Sequence, residues 1–250
     1  MKNIAFASDF DSTLYFGKEK TPFHEEDLKA IKAFRKRGGL FGTCSGRARR
    51  GISYPSEGIL TYDFKIITTG SYIVDKDDKV LYSSPIPKPM AKEIYFYLKK
   101  HYPEWIVINS GEKLLSTHAI LDGRPPIKED DLFVSEAYGI SLDCLSEEEA
   151  YKAKKELETL YPRITAYQNK SFLDRVRKEN SKGNGIRKLK EFLHLDVVAG
   201  RGDSYNDIPL LEEASPSYTF VSSPKEVQEE ADVVVSSLAD ALNDLRDRFF

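Results

Sequence analysis

Short apolar runs alternate with amphipathic stretches in the first part of the chain. Residues 3–8 and 40–44 are short and mostly apolar, which is typical of strands buried on both faces of a parallel sheet. Between them, residues 24–37 carry Leu28, Ile31 and Phe34 on one helical side and charges on the other. A strand over 65–68 and a hairpin over 72–82 follow. The pattern predicts a β-α-β unit of parallel type that ends in a hairpin.

The pattern changes at residues 83–89, where three prolines fall within five residues and predict a linker. Two helices are predicted beyond it, over 90–100 and 146–160, and Ser146 and Glu149 form a capping box at the start of the second. Strand-like segments lie at 105–109, 114–118, 139–144, 163–168 and 171–176. We therefore predict an inserted, mostly antiparallel α+β module over residues 83–179.

Parallel β/α character resumes after the module. A helix carrying Ile186, Leu189 and Leu193 precedes a strand at 196–199, and further short strands and helices follow up to the last amphipathic helix. The predicted fold class is α/β. It has a Rossmann-like parallel-sheet core built from residues 1–82 and 180–250, and the α+β module is inserted between these two segments.

Composition narrows the class of protein. The chain has 250 residues, 40% of them hydrophobic and 31% charged, and a net charge of -3, so it carries no electrostatic footprint for nucleic acid. No stretch approaches the roughly 20 apolar residues of a membrane span, and the N-terminus lacks a signal-peptide pattern. Cys44 and Cys144 are too few for a zinc site or a disulfide framework. We expect a soluble, cytoplasmic protein, and nothing in the sequence indicates its oligomeric state.

Polar side chains cluster where the predicted core strands end or where a helix begins. The four stretches are Asp9-Phe10-Asp11-Ser12-Thr13, Ser45-Gly46-Arg47, Lys182-Gly183 and Gly202-Asp203-Ser204-Tyr205-Asn206-Asp207. In open α/β sheets, ligands bind outside the carboxyl ends of the strands. Asp9 and Asp11 could merely open a turn, because Asp favours turns. An ionised carboxylate at the end of a buried strand nevertheless needs compensation, and a bound cation would supply it.

The chemistry available to this set is phosphoryl transfer. Oxygen ligands without His or Cys favour a hard cation such as Mg²⁺, and a lysine facing several acids indicates a bound phosphoryl group. An Asp can attack phosphorus and form an aspartyl-phosphate. A second acid two positions later can protonate the leaving oxygen and then activate water. Arg47, Arg49 and Arg50 are interpreted as a solvated face, although Arg47 is close enough to the second turn to matter.

The four ordered stretches resemble the motifs of the haloacid dehalogenase superfamily. The insertion between the second and third resembles the C2-type cap of its Cof-type phosphatases, and the resemblance covers the whole chain. It implies that Asp9 is the nucleophile and Asp11 the general acid/base. It implies a phosphate site formed by Ser45, Gly46, Lys182 and Asn206. It also implies a Mg²⁺ site formed by Asp9, the Asp11 main-chain carbonyl, Asp203 and Asp207.

Three positions depart from the family pattern. Ser12 stands where glycine is usual, which costs little unless the backbone φ must be positive. Ser45 replaces the usual threonine and keeps its hydroxyl. Thr69-Gly70-Ser71 stands where Cof-type relatives often have Asn-Gly, so the resemblance assigns no contact on the substrate side there.

The predicted function is a Mg²⁺-dependent phosphatase for small phosphorylated metabolites, sugar phosphates in particular, with neither nucleic acid nor membrane as partner. Two alternatives stay open: a phosphomutase resembling the phosphomannomutases, and an inactive scaffold that binds a phosphorylated ligand. The scaffold is disfavoured because both Asp9 and Asp11 are intact. The sequence does not rank Arg124, Lys128 or Arg175 above ordinary surface charges as specificity residues of the cap.

Overall fold

The computed structural model describes residues 2–102, 105–118 and 125–250. Its strands are β1 (Ile4–Ser8), β2 (Leu40–Cys44), β3 (Phe64–Ile67), β4 (Tyr72–Asp75), β5 (Val80–Ser83), β6 (Ile106–Asn109), β7 (Leu114–Leu115), β8 (Gly139–Asp143), β9 (Ile164–Asn169), β10 (Phe172–Arg177), β11 (Val197–Arg201), β12 (Ser217–Phe220) and β13 (Val233–Val235). Its helices are α1 (Glu25–Lys36), α2 (Arg49–Ser56), α3 (Lys88–His101), α4 (Glu147–Leu160), α5 (Lys182–Phe192), α6 (Ile208–Glu213), α7 (Lys225–Glu229) and α8 (Leu238–Phe249). Two short 3-10 turns lie at Glu129–Phe133 and Tyr205–Asp207.

The larger sheet has the strand order β13-β12-β11-β1-β2-β3-β4-β5 among the described residues. Pairing is parallel from β13 to β3 and antiparallel from β3 to β5. Every residue of β1 is buried, because α1 and α8 cover one face of the sheet while α5 and α6 cover the other. The prediction of a doubly covered parallel core is confirmed.

The second sheet is antiparallel, with the order β7-β6-β8-β10-β9. One of its faces packs against α3 and α4, where Ile94, Leu98 and Leu157 join a closed hydrophobic cluster. Its other face lies over the carboxyl ends of the core strands. The predicted α/β class with an inserted α+β module is therefore confirmed, and we call this module the cap. The exact division at residues 83 and 179 stays a prediction; β5 ends at Ser83 and β10 at Arg177.

Helix α2 was not predicted from the sequence. Gly51 and Pro55 lie inside it and its first two residues are arginines, so no apolar stripe marks it. Its first two main-chain N–H groups donate to cap carbonyls, Arg49 to Gly111 at 2.8 Å and Arg50 to Glu112 at 3.0 Å. The side chain of Arg49 also pairs with Glu112. The interpretation of these arginines as a merely solvated face is thus wrong, because they join the core to the cap.

Across the ranges 2–102, 105–118 and 125–250, no helix is both long and apolar enough to cross a membrane.

Candidate active site

Asp9 lies at the carboxyl end of β1 and is almost completely buried. Its main-chain N–H donates to the Arg201 carbonyl at 2.8 Å, which extends the pairing of β1 with β11 by one residue. Its Oδ1 accepts a hydrogen bond from Lys182 Nζ at 2.6 Å. The first and third predicted motifs therefore meet at one ion pair that is shielded from solvent.

Lys182 reaches Asp9 because it is the first residue of α5. Ser181 caps the start of this helix, because its hydroxyl accepts from the Asn184 N–H at 2.9 Å. The next residue has to be glycine, since a Cβ on Gly183 would lie 2.1 Å from the Pro209 carbonyl oxygen. This close approach brings the start of α5 against the first turn of α6, which directly follows the fourth motif.

Asp207 shares the Lys182 ammonium group with Asp9. Its second oxygen accepts from the main-chain N–H groups of Asp203, at 3.0 Å, and Ser204, at 3.1 Å. Asp207 thus uses both oxygens to hold the lysine and to fold the loop after β11. A direct bond from Asp207 to a metal ion would have to share one of these oxygens.

Three carboxylates surround the end of β1. Ligand oxygens of Asp9, Asp203 and Asp207 lie within 4.8 Å of one another, and Thr13 Oγ1 donates to Asp203 Oδ1 at 3.1 Å. Burial, followed by the charge of Asp207, raises the pKa of Asp9 from 3.8 to about 8, although Lys182 opposes this. Burial and Asp207 also raise the pKa of Asp203. When all three acids are ionised, one ammonium group cannot balance their charge, and an all-oxygen donor set of this kind fits a hard divalent cation.

Burial lowers the pKa of Lys182, but the Asp207 and Asp9 carboxylates more than reverse this and hold it well above the usual value. The ammonium group therefore stays charged at any physiological pH. Cys44, also in this region, donates weakly to the Lys182 carbonyl at 3.7 Å. Burial raises the pKa of its thiol, which agrees with its interpretation as a small core residue.

Asp11 lies only two residues beyond Asp9 but in a different environment. Both of its carboxylate oxygens accept from Arg47, at 2.8 Å from Nε and 2.6 Å from Nη2. Arg47 in turn lies over the rings of Phe10 and Tyr15 and donates to the Gly51 carbonyl. The Asp11 side chain is 54% exposed and is not part of the acid cluster found among the described residues. Any contact of Asp11 with a metal would therefore come from its main-chain carbonyl, as the resemblance implies.

One cavity of about 450 Å³ brings the predicted residues together. Its core side is lined by Asp9, Asp11, Ser45, Gly46, Lys182, Asp203 and Asn206. Ser45 is nearly buried and its hydroxyl accepts from the Arg47 N–H at 3.2 Å, while Asn206 Oδ1 accepts from Ser204 Oγ at 2.6 Å. Asp207 does not line the cavity itself, but it forms an ion pair with Lys182 and so helps to position that side chain.

The family departures have visible structural effects. Ser12 has a φ of +58°, so this turn does require the left-handed region. The N–H groups of Thr68 and Thr69 donate to the carbonyls of Arg47 and Ser45, each at 3.0 Å. The segment that replaces Asn-Gly thus supports the second motif through its backbone.

The cap contributes cavity residues that the sequence did not single out. They include Trp105, Ser141, Asn169, Phe172 and Asp174. Alternation along residues 171–176 separated two faces of a strand, but it did not say which face meets the core.

Of the three cap charges considered from the sequence, the two that the structure describes, Lys128 and Arg175, do not line this cavity. Lys128 is exposed, and Arg124 lies outside the described residues. Arg175 is completely buried, between the cross-strand neighbours Ile140 and Ala166 of the cap's hydrophobic cluster. Arg175 is therefore not a surface charge, and its side chain lies on the cap face opposite the cavity.

The fold and the site together define the class of protein. It is an α/β protein whose parallel sheet carries, at its carboxyl edge, an acidic cluster suited to a cation, and an inserted antiparallel module covers this cluster. A family model, that of the haloacid dehalogenase-like hydrolases, matches residues 6–241. The chain belongs to this family.

The chain is also similar to other proteins over most of its length. An uncharacterized protein of Mycoplasma capricolum is 26% identical over 228 residues, covering 82% of this chain and 85% of its own. A solved haloacid dehalogenase-like hydrolase from B. subtilis has a TM-score of 0.84 at 18% identity, with 100% of both chains covered. The subclass IIB sugar phosphatase BT4131 has a TM-score of 0.80 at 18% identity, with 99% of both chains covered. At these identities the two structures show a shared fold.

Proposed function

We propose that the protein is a Mg²⁺-dependent phosphatase that hydrolyses small phosphorylated metabolites, sugar phosphates in particular, through an aspartyl-phosphate on Asp9. The observation that carries the proposal is the buried Asp9–Lys182–Asp207 cluster next to Asp203, at the base of a cavity that the cap covers. A cavity of about 450 Å³ suits a small metabolite. The name of the sugar phosphatase with the same fold points to the same substrate class.

In the proposed first step, an Asp9 oxygen attacks the phosphorus atom. A bond forms between this oxygen and phosphorus, the ester P–O bond breaks, and the leaving oxygen takes a proton from Asp11. In the second step Asp11 removes a proton from water, which attacks phosphorus and releases inorganic phosphate and free Asp9. Both Asp11 oxygens accept from Arg47 in this structure, so we propose that this pair opens when a substrate enters.

Lys182, Ser45, Gly46 and Asn206 are proposed to hold the phosphoryl oxygens. Lys182 is already held by two carboxylates, so its position is fixed before the substrate arrives, as electrostatic catalysis requires. Asp9, the Asp11 main-chain carbonyl and Asp203, with Asp207 behind them, would hold Mg²⁺. When bound, the ion would supply positive charge opposite the developing charge on the phosphoryl group. The cytoplasmic location stays a prediction.

The test is phosphate release across a panel of sugar phosphates and an aryl phosphate, with Mg²⁺ and with chelator. Asp9→Asn keeps the shape of the side chain but removes the nucleophile, and we expect it to release less than about one percent of the parent's phosphate. Turnover by Asp9→Asn near the parent level would contradict the role of Asp9. Transfer of phosphate to a sugar acceptor instead of water would favour the phosphomutase alternative.

A further inference from the structure

Asp174 occupies a special place on the cavity face of the cap. It pairs across strands with Ser141, and Ser141 Oγ donates to Asp174 Oδ1 at 2.6 Å. The other oxygen is turned toward the core, because a Cβ placed on Gly46 would lie 2.9 Å from Asp174 Oδ2. A cap carboxylate thus stands directly over the turn that we propose binds the phosphoryl group.

This placement needs an explanation, because a carboxylate beside an anion site is unfavourable unless something donates to it. Within the described ranges, Ser141 is the one hydrogen-bond donor recorded for the Asp174 carboxylate, and it reaches Oδ1. The neighbouring Arg175 is completely buried among the cap's hydrophobic residues, on the other face of the sheet. Burial raises the pKa of Asp174, with Ser141 opposing the shift. The Ser141 hydrogen bond to Oδ1 orients the carboxyl group, so that Oδ2 faces the cavity.

The other charges of the cavity indicate what Asp174 can accept. Arg47 and Lys182 line the cavity, but each is already paired with acids. Lys170 lies beyond the end of β9, at the hairpin tip. A second phosphate or a carboxylate near the ester would thus meet the negative charge of the Asp174 carboxylate. A neutral hydroxyl group can donate to Oδ2 without such repulsion.

We propose that Asp174, oriented by Ser141, is a specificity-determining residue that selects monophosphate esters whose alcohol carries a hydroxyl close to the ester and no second anionic group. The inference rests on the proposed phosphatase function and narrows its substrate class. The exposed ring of Phe172, which pairs across strands with Asp143 on the same cap face as Asp174, extends the cavity wall with apolar surface. A carbon skeleton that bears hydroxyls on one side can pack against such a ring.

The experiment compares three simple probes: propyl phosphate, glycerol 3-phosphate, which adds hydroxyls, and 2-phosphoglycerate, which adds a carboxylate at the ester carbon. In the wild type, kcat/KM for glycerol 3-phosphate should exceed that for propyl phosphate by about ten- to a hundredfold, because an unsatisfied acceptor penalises the analogue without a donor. Asp174→Ala should bring this ratio close to one. Asp174→Asn should improve 2-phosphoglycerate relative to propyl phosphate.

Asp143→Asn is the matched control, because Asp143 lies on the same cap face but its Oδ1 accepts from the Leu145 N–H within its own turn. The control should leave the ratio between probes unchanged. Ser141→Ala should shift the ratio in the same direction as Asp174→Ala but less far. A wild-type ratio near one, or the same ratio in folded Asp174→Ala as in the wild type, would overturn the inference.

Binding separates this inference from the proposed function. Calorimetric Kd values for propyl phosphate and glycerol 3-phosphate are measured on Asp9→Asn, with and without Asp174→Ala, so that no turnover is needed. If the wild type hydrolyses no probe, including an aryl phosphate, the proposed function fails. Even in that case, the role of Asp174 is supported if the ratio of the two Kd values falls to about one when Asp174→Ala is added to Asp9→Asn. If adding Asp174→Ala leaves the ratio of the Kd values unchanged, the inference is overturned, whether or not the wild type shows turnover.

Discussion

The affinity for Mg²⁺ should rise steeply between pH 6 and pH 8. Asp9 can bind a cation only as a carboxylate, and burial together with Asp207 raises its pKa to about 8, although Lys182 opposes the shift. Asp203 titrates in the same direction, since burial also raises its pKa. Lys182 does not contribute to the change, because the acids around it keep its pKa well above the usual value. Protons and the cation therefore compete for the same oxygens.

The magnitude follows from the pKa of Asp9. With a value of about 8, roughly one Asp9 side chain in a hundred is ionised at pH 6 and about half at pH 8. The apparent affinity for Mg²⁺ should then rise about fiftyfold over this range, which corresponds to roughly 2 kcal/mol.

The stability of the metal-free protein should change in the opposite sense. The pKa of Asp9 is higher in the folded protein than its ordinary value of 3.8, so the folded state holds a proton that the unfolded chain releases. The contribution of Asp9 to the free energy of unfolding is fully present below about pH 4 and is lost as the pH rises toward about 8. The difference in Tm between protein with Mg²⁺ and protein with chelator should therefore widen from pH 6 to pH 8.

The assay is titration calorimetry with Mg²⁺ at pH 6, 7 and 8, paired with thermal unfolding in Mg²⁺ and in chelator. Asp9→Asn is the control, because the amide has no carboxyl proton to lose, and its weaker binding should depend far less on pH. A wild-type affinity that is constant over this range would refute the reasoning. The same would follow if Asp9→Asn kept the full pH dependence.

Two further substitutions test the packing of the site. Ser12→Gly should raise the free energy of unfolding by about 0.5–1 kcal/mol in urea titrations, because the φ of +58° is strained for serine; a decrease would mean that the Ser12 side chain stabilises the turn. Lys182→Met should lower the stability of the metal-free protein at pH 7 by about 3–5 kcal/mol, because the buried Asp207 carboxylate loses its cation, and a change below about 1 kcal/mol would contradict the buried ion pair.

Much of the fold and of the core side of the site could be predicted from local signals. The apolar stretch that became β1 and the acids after it, together with the serine-capped helix start at Lys182, are properties of short segments. Their meeting point also follows from the sequence, because parallel strands bring their carboxyl ends to one edge. Residues far apart in sequence, such as Asp9 and Asp207, could therefore be placed at the same edge of the sheet once the parallel pattern was recognised.

The cap side could not be predicted in the same way. Asp174 and Arg175 are adjacent charges on an alternating strand, so the pattern placed them on opposite faces without saying which face is buried. The face was decided by α3 and α4, which cover Arg175 along with Ile140 and Ala166. Helix α2 escaped prediction for a related reason, since its first N–H groups are satisfied by cap carbonyls rather than by a local capping pattern.

The division of labour that we propose between Asp9 and Asp11 also depends on long-range structure. If the strand continued through residue 11, the side chains of Asp9 and Asp11 would lie on the same face, because they are two residues apart. The strand ends between them, however, because Tyr15 and Leu14 donate to the Phe10 carbonyl and close a turn. Asp9 consequently stays buried against Lys182, while Asp11 is released toward Arg47 and solvent. Two carboxylates in such unequal surroundings are suited to different roles, so the turn itself supports the assignment of one as nucleophile and the other as acid/base.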